Sequence, residues 1–437
     1  MALSGFVFFV LAAFCAPIVH AETLAEAVRA ALAWQPELRA SAASRRAAAE
    51  GVAEARGGYL PALDLTLGRG RERSDNASTR PGEVSLNRSE AELTVSQLVF
   101  DTGAVSSQVR RSEARSEGAA LLLASASEVL AFRTAQAYLE VLRLTELMAI
   151  AQENVAAHER TLRQVGILAE GGVGRRADVL QAAARLAQAQ TALASLQGQL
   201  EQAGSGYRHL VGRAPRTLLA PNLERKLLPE RLEPILEQTL AAHPAVRAAE
   251  RERDAALADR EFARSRLGPR VSLELGMTHN RDLDGLRGLN AEAIAMLRLR
   301  QNLFRGGSDE ARIRQAEARV DEANAGLARA RNDVERDLRQ AHEGLRAERE
   351  RQLPLAVHAR TSAEVVEAYR AQFRLGQRSL LDLLNAEAEN FNARANQASG
   401  RSALLAAGYR TLAAMGRLLD ALGVALPAEA AVEGARR

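Results

Sequence analysis

The stretch "RLGQRSLLDLLNAEAEN" (residues 374–390) has an earlier counterpart, "EGGVGRRADVLQAAARL" (170–186). One alignment pairs four positions in the same register: Gly172 with Gly376, Asp178 with Asp382, Leu180 with Leu384 and Ala182 with Ala386. A shared register over four positions predicts an internal duplication.

The duplication extends over most of the chain. "QLVFDTG" (97–103) corresponds to "QNLFRGG" (301–307), and Gln35-Pro36 corresponds to His243-Pro244. Each half therefore has a helix, two alternating stretches around a loop, and a long helical hairpin. The predicted divisions are a signal peptide at 1–21, a first repeat at 22–212, a connector at 213–235, a second repeat at 236–419 and a tail at 420–437.

The composition favours long packed helices. Hydrophobic residues make up 47% of the chain but aromatic residues only 4%, and Ala and Leu dominate. The 58 basic residues nearly balance the 54 acidic ones, without a basic run. Nucleic acid is therefore not expected as a partner.

The N-terminus reads as a secretory signal peptide. "LSGFVFFVLAAFCAPIVHA" is a short apolar stretch, and the small residue Ala21 suits cleavage after it. The only cysteine, Cys15, lies inside this segment. Cleavage would leave a protein without disulfide or thiol chemistry.

Two pairs of alternating stretches, within 60–101 and 269–304, predict strands. Leu63, Leu65 and Leu67, for example, alternate with polar or small residues. Each stretch has about the length of a membrane-spanning strand, roughly 9 to 11 residues. Hairpins capping a soluble helical bundle remain the alternative.

The helices show a coiled-coil repeat, with apolar residues spaced three and four apart from Leu186 and again from Ile313. No break interrupts 103–170, which would extend on the order of 100 Å. In its counterpart, 307–375, Pro354 is expected to kink or interrupt the helix. The hairpin tips are predicted near 171–178 and 375–382.

Four strands cannot lie in a bilayer alone, because their edges would expose unpaired backbone groups to hydrocarbon. We therefore expect an oligomer. Two copies would supply eight strands and three would supply twelve, and the sequence does not distinguish between a dimer and a trimer.

The duplicated layout, the Gly-then-Asp tips and the Phe-containing strand ends resemble the TolC-type family of outer-membrane efflux proteins. The resemblance covers about 22–420. It implies a mainly α member of the α+β class: a homotrimer whose twelve-stranded transmembrane β-barrel continues into a coiled-coil α-helical barrel. The connector 213–235 and the C-terminal segment would join an equatorial domain, the tail being otherwise disordered.

The same resemblance implies a function. Members carry drugs or secreted polypeptides from an inner-membrane transporter and a periplasmic adaptor to the exterior. We therefore expect an exit duct in the Gram-negative outer membrane, in contact with its lipid, with a periplasmic extension.

The tips are the candidate functional site. Gly172, Gly174 and Gly376 lie where the chain reverses, and glycine supplies the unusual backbone angles of such turns. Asp178 and Asp382 fall in the first turns of the returning helices, where carboxylates are favourable. A purely structural role is one interpretation of these residues.

The family resemblance adds a gate. Three copies of Asp382 would ring the periplasmic mouth, and Arg378 would latch to Asp178 on a neighbouring tip. The chain departs from the family pattern at Asn385, where a second acidic ring is expected, and at Phe373, where a tyrosine latch is expected. Both departures argue against a tightly closed resting state.

Enzyme chemistry is not indicated. The seven histidines show no metal-ligand spacing, and "GGVGRRAD" lacks the ending of a phosphate loop. No cofactor is therefore expected. The rival interpretation is a periplasmic adaptor or coiled-coil scaffold without a pore.

Overall fold

A computed structural model describes residues 21–80 and 82–431. The predicted signal peptide therefore lies outside the described residues, apart from Ala21. The elements of the first half are α1 (Leu24–Trp34), α2 (Pro36–Gly57), β1 (Ala62–Ser74), β2 (Val84–Phe100), α3 (Ala104–Glu170) and α4 (Arg176–Val211). Those of the second are α5 (Glu233–Ala242), α6 (Pro244–Ser265), β3 (Arg270–Arg281), β4 (Leu289–Arg300), α7 (Ser308–Arg374), α8 (Leu380–Ala414) and α9 (Leu418–Ala421).

The two halves repeat one pattern of elements. Each opens with two helices where one was predicted, because Pro36 and Pro244 start a new helix and the residue before each is extended. Each long helix, α3 or α7, has 67 residues and begins after a glycine with positive φ, Gly103 or Gly307.

The four strands form one antiparallel sheet in the order β1-β2-β3-β4. Pairing of β2 with β3 joins the two halves of the chain. One row across the sheet is apolar, with Leu65 opposite Leu93, Leu93 opposite Met277, and Met277 opposite Ala293. The next row is polar, and its members are Thr66, Glu92, Thr278 and Glu292.

The apolar face of this sheet is uncovered. Leu63, Leu65 and Leu67 are 66%, 66% and 70% exposed. An apolar face of this extent on a protein surface indicates contact with a membrane or another chain. Among residues 21–80 and 82–431, strands β1 and β4 each pair on one side only, so both edges of the sheet are open.

The long helices pack side by side. Helix α3 packs on α2, α4, α6 and α8, and α7 packs on α6 and α8. Among the described residues, α3 has a window apolar enough to cross a membrane, but 56% of that window is buried inside the protein. Its apolar composition is thus explained by helix packing.

Helix α7 continues through Pro354, so the predicted interruption was wrong. The adjacent helix holds this segment. Gln352 Nε2 donates to the Gly400 carbonyl at 3.0 Å, and a Cβ at Gly400 would overlap Leu355. Close packing of α8 thus holds α7 on both sides of Pro354, where proline removes one backbone hydrogen bond.

The largest apolar cluster lies midway along the molecule, where α1, α3, α4, α8 and α9 meet. The connector is fastened to it. The fully buried hydroxyl of Tyr138 lies 2.7 Å from the Glu22 carbonyl and 2.6 Å from the Leu219 carbonyl, and Glu22 bridges to Leu218.

The C-terminal segment packs on this region as well. Ala430 is buried against Leu38, Leu123 and Ala124. Of the two alternatives for the tail, an equatorial position or disorder, these apolar contacts favour the first as far as residue 431.

Glu128 caps α9 from a distant helix. Its carboxylate oxygens accept the backbone N–H groups of Leu418 at 2.9 Å and Leu419 at 3.3 Å. Burial raises the pKa of Glu128 to about 7, with a smaller contribution from Asp420, although the two N–H groups oppose it.

Because the folded-state pKa of Glu128 lies above the unfolded value, this group contributes stability below pH 4.5 that is lost as the pH rises through about 7. We expect Glu128→Gln to flatten the pH dependence of the apparent melting temperature between pH 5 and 8. Glu128→Ala should lower stability at every pH by about 1–3 kcal/mol, because two buried N–H groups lose their acceptor.

Thermal melts of the detergent-solubilised protein at several pH values test this expectation. The control is Glu159→Gln on the same helix, whose side chain is 44% exposed. A Glu128→Gln profile parallel to that of the wild type would contradict the assignment.

Candidate functional site at the helical hairpin tips

The first tip joins α3 to α4 through a glycine turn. Gly172 has a φ of 77°, and Gly174 donates its N–H to the Leu168 carbonyl at 2.8 Å. A Cβ at Gly174 would lie 2.8 Å from the Ala169 nitrogen, so only glycine fits there without a shift. These two glycines reverse the chain, as the sequence predicts.

The second tip joins α7 to α8 and has a polar cap. Gly376 has a φ of 73°. Ser379 accepts the N–H of Asp382 at 3.1 Å and donates its hydroxyl to the Asp382 carboxylate at 2.8 Å. The cap residue is thus Ser379, which sequence reasoning missed, and Asp382 orients it from the first turn of the helix.

Arg378 is held within its own hairpin. Its guanidinium carbon lies 4.1 Å from the ring centroid of Tyr369, and its Nε donates to Gln372 at 3.2 Å. It also lies 4.0 Å from the Asp382 carboxylate. Arg378 is therefore held by contacts within its own hairpin, and sequence reasoning did not identify Tyr369 as its neighbour.

The remaining predicted residues have different surroundings. Asn385 accepts a hydrogen bond from Arg185 of α4 at 3.3 Å, which links the two hairpins. Phe373 is a partly buried member of the apolar cluster at Val165, Ala182, Leu380 and Leu384. Asp178 lies in the first turn of α4, which has no side-chain cap.

A buried polar cluster ties the hairpins together above this apolar contact. Glu387 of α8 accepts hydrogen bonds from Arg370 of α7 at 3.0 and 3.3 Å. Its second oxygen lies 3.4 Å from Nδ1 of His158 on α3, and both side chains are almost inaccessible. Sequence reasoning missed this cluster. The signal was that Glu387 continues the apolar stripe of Leu380 and Leu384, which predicts a buried carboxylate.

Burial lowers the pKa of His158, opposed by Glu387 and assisted by Arg185 and Arg370. In the unfolded chain, His158 binds a proton near pH 6.5, whereas in the folded chain it does so only at lower pH. Acidification below pH 6.5 therefore favours the unfolded state. We expect His158→Gln to lose less stability than the wild type between pH 7 and 5.

Melting temperatures at the two pH values measure this difference. His358→Gln is the matched control, because His358 pairs with Glu389 at 2.7 Å but is 47% exposed. An acid-induced loss of stability equal to that of the wild type in His158→Gln would refute the explanation.

The apolar open sheet, the paired rods about 100 Å long and the glycine turns at their ends define a class of protein: one segment of the wall of a membrane duct. The chain belongs to the outer membrane efflux protein family, whose model matches residues 27–213 and 235–417.

Curated relatives agree with this assignment. Protein CyaE of Bordetella pertussis is 30% identical over 75% of this chain and 69% of its own length. Outer membrane protein TolC of Vibrio cholerae is 27% identical over 88% of each chain.

Solved structures show the same fold. The outer-membrane channel OprN superposes with a TM-score of 0.77 and 24% identity over 90% of both chains. The open state of the Neisseria gonorrhoeae MtrE outer membrane channel superposes with a TM-score of 0.78 and 22% identity, covering 91% of this chain and 89% of that one.

The protein is therefore an outer-membrane channel of Gram-negative bacteria that serves as the exit duct of an export system, with its helices extending into the periplasm. Members of this family work as trimeric channels that dock with a periplasmic adaptor and an inner-membrane pump. None of the relatives found supports an adaptor or scaffold without a pore.

Proposed function

We propose that three copies of this chain close into one continuous conduit, which passes drugs or secreted polypeptides through the outer membrane. The observation that carries the proposal is the single four-stranded sheet with an exposed apolar face and two open edges. Edges of this kind must pair with other copies in hydrocarbon.

The number of copies follows from the width of the barrel interior. Two copies give an eight-stranded barrel, whose interior is only wide enough for side chains. Three copies give twelve strands and leave an aqueous passage. Helix α4 also favours assembly, because the buried residues among its 36 are only Ala182, Ala189, Tyr207 and Val211.

Conductance across a planar lipid bilayer tests the conduit. The purified protein should insert as a trimer and produce discrete single-channel steps. A stable water-soluble monomer without conductance would overturn the proposal, and such a protein would also wash off membranes in carbonate.

The periplasmic mouth would be gated by the second tip. The Asp382 side chain is 45% exposed, so three copies around one axis are free to repel each other and to bind cations. An Arg378–Asp178 latch between neighbouring protomers would have to replace the contacts of Arg378 with Tyr369 and Gln372. Such an exposed pair is worth about 0–1 kcal/mol, which a docking partner can overcome.

Asn385 and Phe373 would contribute little to closure. Asn385 brings no charge to the mouth, and Phe373 has no hydroxyl for a latch and packs between the hairpins. The gate would therefore depend mainly on the single ring of Asp382.

We expect Asp382→Ala to raise single-channel conductance and to weaken block by multivalent cations, because it removes three converging carboxylates. Recordings with and without a trivalent cation measure both effects. Asp178→Ala, at the matching position of the first tip, is the control and should change cation block less. If both quantities stay at wild-type values in Asp382→Ala, Asp382 is not part of the gate.

The tips would also dock the adaptor. Apolar side chains surround the turns made by Gly172, Gly174 and Gly376, and Val173 and Leu375 are 83% and 71% exposed. Exposed apolar residues at the end of a rod suit the helical hairpin of a periplasmic partner. The inner-membrane transporter would then join through that adaptor.

A further inference from the structure

The outward face of the sheet changes character along its strands. On β1, the apolar residues Leu63, Leu65 and Leu67 are followed on the same face by arginines at 69, 71 and 73. On β3, Met277 is followed on the same face by His279 and Arg281. In both strands the change occurs at the end far from the helices, which is the extracellular end.

Strand register brings the arginines together. Arg69 lies opposite Ser89, and Ser89 lies opposite Arg281, so the two arginines occupy one row on either side of a small residue. Two strand spacings separate their backbones by about 10 Å, and Arg71 lies about 7 Å further along β1. Three long side chains can therefore converge over Ser89.

Apart from Arg73, which pairs with Glu83, these arginines have no ion pair within the described residues. The outward positions of β2 beside them hold Ser85, Asn87 and Ser89. The acidic residues at this level, Glu72 and Glu90, lie on the opposite face of the sheet, in contact with Arg88. The charges thus segregate across the sheet.

Existing contacts distinguish the arginines. Arg71 Nε donates to the Ser85 hydroxyl at 3.1 Å, whereas Arg73 is paired with Glu83. Within residues 21–80 and 82–431, Arg69 and Arg281 have no ion pair and no side-chain hydrogen bond, and both are exposed. Arg69, Arg71 and Arg281 are therefore available to a ligand.

The position of this cluster matches the surface of a bilayer. Arg281 lies opposite Leu289, the last outward apolar residue of β4, whose apolar face begins at Leu299. Ten residue steps along a strand tilted by about 40° rise about 26 Å, close to the roughly 25 Å apolar band of outer-membrane barrels. The arginines therefore lie where hydrocarbon gives way to lipid headgroups.

We propose that Arg69, Arg71 and Arg281 form a binding site for the phosphate groups of a phosphorylated glycolipid of the outer leaflet. Guanidinium groups bind phosphate oxygens through paired N–H donors. The apolar rows directly below the cluster would receive the acyl chains of the same molecule, which favours a lipid over free phosphate.

Binding of bisphosphorylated lipid A to the detergent-solubilised trimer, followed by native mass spectrometry, tests the site. We expect the triple variant Arg69→Ser/Arg71→Ser/Arg281→Ser to weaken lipid A binding at least tenfold. Arg300→Ser is the matched control, because Arg300 lies at the opposite end of β4 on the face of Glu274, and it should bind as the wild type does.

Two further binding measurements identify which part of the lipid is recognised. Dephosphorylated lipid A should bind the wild type at least tenfold more weakly, and millimolar inorganic phosphate should not displace intact lipid A. Undiminished binding by the triple variant, equal binding of dephosphorylated lipid, or displacement by phosphate alone would each overturn the site.

Two checks separate this site from folding and from the conduit. Single-channel conductance of the triple variant should match the wild type, so a loss of lipid binding with normal conductance supports the site alone. If the triple variant does not assemble, Arg69→Lys/Arg71→Lys/Arg281→Lys keeps the charge but loses the paired donors, and it should weaken binding about threefold. Wild-type affinity in that variant would count against phosphate recognition by guanidinium.

Discussion

The edge strands β1 and β4 each present a row of backbone N–H and C=O groups that have no partner in the part of the chain that the structure describes. Inside a bilayer no water is available to these groups, and each unpaired one costs several kcal/mol. The sheet also exposes Leu63, Leu65 and Leu67. These two features together mean that the isolated chain is incomplete, and that its stable form is an assembly in which every edge is paired.

The helical part extends the wall that the sheet begins. Short connections that end at Gly103 and Gly307, both with positive φ, join strands β2 and β4 to helices of 67 residues, so sheet and rods are continuous. The equatorial cluster fastens the connector and the C-terminal segment around these rods. Fewer buried contacts hold the ends of the rods than hold the equatorial cluster. They are a small apolar cluster, one buried His–Glu–Arg cluster and two glycine turns. Few buried contacts would therefore have to change if these ends moved apart.

Polar residues on the two faces of the sheet serve different surroundings. Glu72 and Glu90 both pair with Arg88 on the inward face, which would line the proposed passage. On the outward face, Arg69, Arg71 and Arg281 have no ion pair within the described residues, and the proposed lipid site would supply the missing anionic groups. The same strands thus face an aqueous passage on one side and lipid on the other, because successive side chains alternate between faces.

Much of this architecture was predictable because it follows from local patterns. The period of two in the strands, the coiled-coil spacing of the helices and the paired glycines at 172 and 376 determined the elements and the tips, and the duplication ordered them. Only the tertiary structure showed that β2 pairs with β3, that α7 continues through Pro354, and that Arg378 stacks on Tyr369. It also decided that Glu387 and His158 are buried while Asp382 stays accessible. The physical reason is that periodicity and turn chemistry involve residues a few positions apart, whereas strand pairing, the burial of charge and the support of a proline depend on neighbours from distant parts of the chain.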